Sequence, residues 1–372
     1  MRILHIIPRL NQGGAERLVL DICNELQKRP DVQVRLLTFS EENAYPYLTE
    51  SLDWKVVPAS VHLSVWRKNE LHITALQQAI EDFQPDIIHT HLFEAEIVSR
   101  SCYYPKARWF SHCHDNMKQF RNLTLSTLLH KELLTNAYEK HYLYQRYNAN
   151  GGNTFIAISN DNAAYFRKVA SPFRVELLLN AINYKRFFCL RKPSEHTCLR
   201  LVNTGSYSDK KNQRFLIQVA RCLKEKQVDF MLTLLGDGKN YANIAQQIKQ
   251  YGLEEYVVQK GNVNNVEDYL SQADIYVHAA LIEPFGLVLL EAMAAGLPVV
   301  TLDGKGNRDI IEEGKNGFML YEENAEAFAN KILEVWNNKE LYASMSGFAQ
   351  QFAKNYDIES YVNKLLKLYK KS

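Results

Sequence analysis

Hydrophobic positions along this chain recur in two alternating rhythms. Ile3–Ile7 is a continuous apolar run of strand length, and Asn11-Gln12-Gly13-Gly14 reads as a turn. Residues 15–28 then carry Ala15, Leu18, Val19, Ile22, Cys23 and Leu26 at helical spacing. Val32–Phe39 alternates like a strand, Leu71–Phe83 has helical spacing, and Asp86–Thr90, Arg108–Ser111 and Phe155–Ile158 are further strands. This succession predicts an α/β fold with a mostly parallel sheet and helices on both faces. A second series starts near residue 199. It runs through strand Leu199–Asn203, helix Asn212–Lys224 and strand Phe230–Leu235, which ends in Gly236-Asp237-Gly238, to strands Ile275–His278 and Val299–Thr301. Between the two series, Asn183–Thr197 is irregular, with Pro193 and mixed charge, and reads as a linker. The tail Asp357–Lys370 is helical, with Ile358, Tyr361, Val362, Leu365, Leu366 and Tyr369 on one face. Two doubly wound domains joined in this way make a cleft, and ligands bind outside the carboxyl ends of such strands. The loops expected there are 8–14, 89–93, 111–116, 205–212, 236–239, 279–286 and 303–308.

Length and composition agree with two globular domains. A chain of 372 residues, 46% of them apolar and without low-complexity runs, exceeds one ordinary core. The net charge of +2 gives no support to nucleic-acid binding. The apolar part of Met1–Leu10 is too short for a signal peptide and is interrupted by Pro8. No segment approaches the roughly 20 uncharged apolar residues that cross a bilayer. The six cysteines, Cys23, Cys102, Cys113, Cys189, Cys198 and Cys222, form no Cys-x-x-Cys pair, so a structural zinc or dithiol site is not expected. Scattered thiols fit a reducing cytoplasm.

The segment 283–301 carries the most chemistry. Glu283 and Glu291 bracket a Phe-Gly turn, and Pro284 keeps Glu283 in the loop while a helix starts near Phe285 or Gly286. The first N–H groups of that helix lack intrahelical partners and would face an anion. Carboxylates on either side of an anion site suit a ligand with hydroxyls at both ends and phosphate between, the layout of a nucleotide-sugar. The blander alternative is two surface acids flanking a helix. Gly205-Ser206-Tyr207-Ser208-Asp209-Lys210-Lys211-Asn212 lies between a strand and a helix, where a lysine can neutralise a departing phosphate, or where the turn is simply basic and exposed. Gly13-Gly14 either admits a close ligand or makes a tight strand–helix turn. No Gly-x-Gly-x-x-Gly occurs, which argues against a dinucleotide redox enzyme.

Histidines gather at strand ends: His89 and His91, then His112 and His114, followed by Asp115. Alternate spacing puts each pair on one side of an extended segment, suited to a metal, to placing one imidazole in the cleft, or to structure alone. Residues 117–147 hold Lys118, Arg121, Lys131, Lys140 and Arg146 among Tyr138, Tyr142, Tyr144 and Tyr147. That pattern describes either a solvated helix face or an amphipathic contact with an anionic membrane surface.

Gly13-Gly14-Ala15-Glu16, His112-Cys113-His114-Asp115, Asn180-Ala181-Ile182, Gly205 through Asn212, Gly236-Asp237-Gly238 and Glu283 to Glu291, with Ala-Met-Ala-Ala-Gly-Leu-Pro-Val-Val and Asn316-Gly317, resemble the retaining glycosyltransferases of family four. The resemblance runs nearly end to end. It implies the GT-B fold, two facing Rossmann-like domains with an interdomain cleft. The expected boundaries are 1–183 for the acceptor domain, completed by a crossover helix in 357–372, and 184–356 for the donor domain. By the same resemblance, Glu283 holds hydroxyls of the donor sugar, and the amides of Phe285, Gly286 and Leu287 approach sugar and diphosphate. Glu291 takes the ribose, Lys211 takes the diphosphate, and Gly14 and Gly236 line the donor. His114, with His112 as the alternate register, is expected near the anomeric centre as a catalytic residue with Lys211 and Glu283. Gly13, His91, His112 and Asp115 fall on the acceptor side. Two positions depart from the pattern. Ser206 stands where the family usually has Arg, so Lys210 and Arg308 are candidates for that charge. The later Gly-Gly loop is altered to Asp303-Gly304-Lys305-Gly306-Asn307-Arg308-Asp309.

The expected activity is metal-independent, retaining sugar transfer from a nucleotide diphosphate-sugar, with no cofactor beyond that co-substrate. The acceptor would be a saccharide or lipid-linked saccharide in surface polysaccharide, lipopolysaccharide or glycolipid assembly. The expected location is the cytoplasm, with the inner membrane face as a peripheral contact. Two other classes stay open: a nucleotide-sugar epimerase, and a non-catalytic nucleotide-sugar binding subunit.

Overall fold

The computed structural model describes residues 1–121, 131–191 and 196–371. Pro193 of the expected linker, and 122–130 of the basic–aromatic stretch, lie outside them. The chain forms two compact units, Met1–Asn180 with Ile358–Ser372, and Ala181–Asp357. Two chain crossings mark this division, and they run side by side. Ile182 N–H donates to Tyr356 O at 3.0 Å, and Tyr184 N–H donates to Asp357 Oδ1 at 3.1 Å.

The first unit contains β1 (Arg2–Ile6), β2 (Gln33–Thr38), β3 (Trp54–Val56), β4 (Ser60–His62), β5 (Glu70–His72), β6 (Ile87–His91), β7 (Arg108–Cys113), β8 (Thr154–Ala157) and β9 (Arg174–Leu177). Seven of these make one parallel sheet in the order β3-β2-β1-β6-β7-β8-β9, and β4 and β5 pair as an antiparallel hairpin. β6 and β8 are buried at every position, polar His89, Thr90 and His91 included, which is why neither alternates between apolar and polar. Helix Gly14–Leu26 buries Leu18, Val19, Ile22 and Leu26. The tail helix Ile358–Lys371 packs against it and buries Tyr361, Val362, Leu365 and Tyr369.

The structure corrects one predicted element. Helical spacing predicts a helix over Leu71–Phe83, but the helix covers Thr74–Phe83 and Glu70–His72 is strand β5. Leu71 is exposed and pairs with Val61. A three-residue strand is decided by its partner across the hairpin, which local spacing does not report.

The second unit contains β10 (Leu199–Thr204), β11 (Phe230–Leu235), β12 (Val257–Gly261), β13 (Ile275–His278), β14 (Val299–Leu302) and β15 (Gly317–Leu320). All pairs are parallel, in the order β12-β11-β10-β13-β14-β15. The chain works outward from β10 through β11 to β12, then returns to the other side of β10 with β13. That reversal is a topological switch point, where helices on opposite faces leave a crevice at the strand carboxyl ends. β1 and β6 make the equivalent point in the first unit. Among the described residues, no helix is long and apolar enough to cross a membrane.

Candidate functional site

In the second unit the loops after β10, β11, β13 and β14 lock together at the switch point. Gly205 N–H donates to Leu235 O and Tyr207 N–H donates to Asp237 O. Gly236 has φ 121, and a Cβ there would lie 2.2 Å from Gly205 O, so only glycine permits this approach. Leu281 N–H donates to Lys210 O at 2.8 Å, and Glu283 N–H donates to Gly304 O at 2.8 Å. Gly306 N–H returns a bond to Glu283 O at 3.0 Å, and a Cβ on Gly306 would strike Pro284 O at 2.1 Å. The altered loop 303–309 is therefore the backbone clamp that holds Glu283. Buried Asn307 orders it by bonding Gly304 N, Thr301 Oγ1 and Leu302 O.

Glu283 is only 6% exposed. Its Oε2 accepts from Lys211 Nζ at 2.5 Å and from His278 Nε2 at 2.9 Å. Among the described residues no donor reaches Oε1, which keeps its lone pairs for a ligand hydroxyl. Burial pushes this carboxyl up, but the Lys211 charge and the His278 bond outweigh it and hold it at about 2. His278 is held below its usual value by burial, against the pull of Glu283. It therefore donates through Nε2 as a neutral ring.

The remaining donor-side residues surround this group. Helix Leu287–Ala294 has Gly286 as its N-cap at φ 103, so its first turn presents N–H groups without intrahelical acceptors. Phe285 is buried near Tyr356, and Leu287 and Glu291 are half-buried. Ser206 and Lys210 are exposed. Arg308 carries its guanidinium to Asp303, with contacts of 2.9 and 2.5 Å, so its charge is already engaged.

The first unit gathers a different set. His5 on β1, His89 and His91 on β6, and His112 on β7 are fully buried, and His114 just beyond β7 is half-buried. Register places His5 beside His89 and His91 beside His112. Their rings lie 4.3–5.3 Å apart, centroid to centroid. His5 Nδ1 meets His91 Nε2 at 2.9 Å, and His91 Nδ1 meets His114 Nε2 at 3.0 Å. Tyr369 OH, from the tail helix, meets His89 Nδ1 at 2.5 Å, and His112 Nε2 meets Asn180 Oδ1 at 3.3 Å. Burial pushes His5 down to about 3 and His112 to about 4, and holds His89, His91 and His114 well below the usual range. The ladder is thus neutral near pH 7. Two triads, His5/His89/His91 and His91/His112/His114, each bring their nitrogens within 4.8 Å and could hold a metal. Gly13 caps helix Gly14–Leu26, with Tyr45 OH bonded to its N–H and carbonyl, and Gly14 is the first helical residue. Asp115 is exposed.

Residues 12–186 match the family model described as Glycosyltransferase Family 4, and residues 191–352 match the one described as Glycosyl transferases group 1. The chain belongs to this glycosyltransferase family. A poly(ribitol-phosphate) alpha-N-acetylglucosaminyltransferase of Staphylococcus aureus (strain COL) is 26% identical over 350 residues, 91% of this chain and 67% of that protein. An uncharacterized glycosyltransferase of Haemophilus influenzae (strain ATCC 51907 / DSM 11121 / KW20 / Rd) is 30% identical over 174 residues, 46% of this chain and 48% of its own. The chain thus spans about half the length of some curated relatives it matches. Among solved structures, Anabaena Alr3699/HepE in complex with UDP superposes with a TM-score of 0.80 at 21% identity, covering 100% of both chains. The fold of this glycosyltransferase is GT-B.

Two residues of these clusters escaped the reading of the sequence. His278 stands five positions before Glu283 at the end of a strand, a position that ranks it beside the other strand-end histidines. His5 lies in the first strand, and nothing local separates it from an ordinary core position. The basic–aromatic stretch also divides. In helix Lys131–Ala149, Tyr142 and Tyr147 are buried in the first unit's core, and Lys140 Nζ donates to Phe120 O. The aromatic half of that pattern is packing.

Proposed function

We propose that this glycosyltransferase moves a sugar from a nucleoside diphosphate-sugar to a hydroxyl of a saccharide acceptor, with retention of the anomeric configuration and without a metal at the diphosphate. The observation that carries the reading is the Lys211–Glu283–His278 group at the β10/β13 switch point, beside the N-terminus of helix Leu287–Ala294. Glu283 offers Oε1 to donor-sugar hydroxyls, while Lys211 and the helix N–H groups stabilise charge on the departing diphosphate. Glu291 serves the ribose. The bond from the anomeric carbon to the phosphate oxygen breaks, with its electron pair going to that oxygen. The acceptor oxygen bonds the same face, and its proton passes to the leaving phosphate. No protein base is required, consistent with a neutral His114 that orients rather than ionises.

HepE was solved in complex with UDP and with UDP-glucose, and TarM with UDP and fondaparinux, which supports a uridine donor and a saccharide acceptor. The finer reading places the acceptor on a surface polysaccharide, lipopolysaccharide or glycolipid, lipid-linked at a cytoplasmic membrane face. Thermal unfolding with a panel of nucleotide-sugars tests donor binding, since a ligand of the native state raises its melting temperature. Turnover with and without acceptor then separates the classes. A donor sugar altered without acceptor means an epimerase, and binding without any transfer means a non-catalytic subunit. Absence of stabilisation by every donor refutes the reading.

A further inference from the structure

The histidine ladder of the first unit is larger than sugar transfer requires. Two His-x-His pairs lie at the ends of adjacent parallel strands, His89/His91 on β6 and His112/His114 on and after β7, with His91 in register with His112. Alternate strand residues share a face, so both pairs turn their rings the same way. We propose that His91, His112 and His114 form a binding site for a divalent transition ion of the zinc type. This assignment shares His114 with the proposed function and leaves Lys211, Glu283 and Glu291 of the second unit untouched.

The hydrogen bonds of the ladder leave lone pairs where such an ion needs them. Asn180 Oδ1 is an acceptor, so the His112 proton sits on Nε2 and Nδ1 is bare. That Nδ1 is buried and has no partner. His5 Nδ1 stands 2.9 Å from His91 Nε2, and the tautomer in which His5 accepts there puts the His91 proton on Nε2 and leaves Nδ1 for the ion. These are the outer contacts that orient metal-bound imidazoles elsewhere. His91 Nδ1 and His114 Nε2 stand 3.0 Å apart. Nitrogens around a tetrahedral zinc, at ~2.0–2.1 Å from the ion, lie roughly 3.3–3.4 Å from each other. One nitrogen from each of the three rings falls within 4.8 Å of the others. Imidazole suits zinc, copper and nickel. His114 is half-buried, the most exposed of the three, and three imidazoles are one ligand short of a tetrahedral shell, the number at which a zinc keeps a position for water.

The test uses the full chain without an affinity tag, stripped with chelator and titrated with Zn²⁺ in thermal unfolding and with Co²⁺ in visible absorption. The expected result is a single equivalent bound, a rise in melting temperature reversed by EDTA, and the strong d–d absorption of four-coordinate Co²⁺. His114→Ala should abolish both signals while unfolding normally in EDTA. Asn180→Ala should weaken binding about 10- to 100-fold, the usual cost of an outer contact. Broadening of the His91, His112 and His114 ring resonances by Co²⁺ in the unaltered chain reads the site without any substitution. The proposal is overturned by no stabilisation and no absorption, by unchanged binding in His114→Ala, or by broadening confined to other histidines.

Discussion

Buried imidazoles occur in both units, and one carboxylate makes the difference between them. His112 and His278 are each 0–1% exposed at the end of a central strand. In the first unit, His89, His91 and His114 surround His112, and burial leaves neutral rings that hydrogen-bond among themselves. In the second, Glu283 stands beside His278 with Lys211 on the same oxygen, and the carboxylate stays ionised although it is buried. Burial therefore removes charge where nothing opposes it, and preserves an ion pair where a cation and a donor converge on one atom. The first arrangement suits coordination of a metal, and the second suits gripping hydroxyls beside a phosphate.

Breaking the second cluster should have the largest effect. Glu283→Ala leaves Lys211 and His278 without their acceptor, and losing one partner of a buried pair costs about 3–5 kcal/mol. Urea unfolding should show the loss, and donor-induced stabilisation should vanish. Adding Lys211→Met to Glu283→Ala should recover part of that stability, because the stranded cation is gone. A double variant as unstable as the single one would break the comparison.

Acid should act on the same group. Glu283 lies at about 2 in the folded chain against a reference of 4.5. A lowered carboxyl stabilises the fold above 4.5, and that contribution fades as pH falls from 4.5 towards 2. Integrated over this window, the linkage is worth about 3 kcal/mol. His278, also lowered, adds a loss that begins earlier, as pH drops below its reference of 6.5. Unfolding free energy measured against pH should therefore slope less between 4.5 and 2 in Glu283→Gln than in the unaltered chain.

The smallest of the three effects is kinetic. A hydrogen bond to a charged group is worth about 1.5–3 kcal/mol, and ~1.4 kcal/mol is tenfold in rate. Lys211→Met should slow single-turnover transfer roughly 10- to 100-fold at saturating donor. An unchanged rate would restrict Lys211 to holding Glu283 in place and sharpen the comparison in that direction.

Nine central strands are legible in the sequence, because burial makes them apolar-rich, as continuous runs or by alternation. The four edge strands β3, β9, β12 and β15 are not, since they are only partly buried and their side-chain pattern marks no inner face. Glu283, Lys211, Glu291 and the strand-end histidines stand out by residue type beside glycine and proline breaks. The sequence by itself determined two doubly wound units and the loops that carry their polar groups, because periodicity reports which face of each element leaves water. Only the tertiary structure joined Lys211 and His278 to one oxygen of Glu283, and set His5 behind His91 and Asn180 behind His112. Those partners lie up to 86 positions apart in the chain, and strand register and loop packing, which no local pattern encodes, bring them within hydrogen-bonding distance.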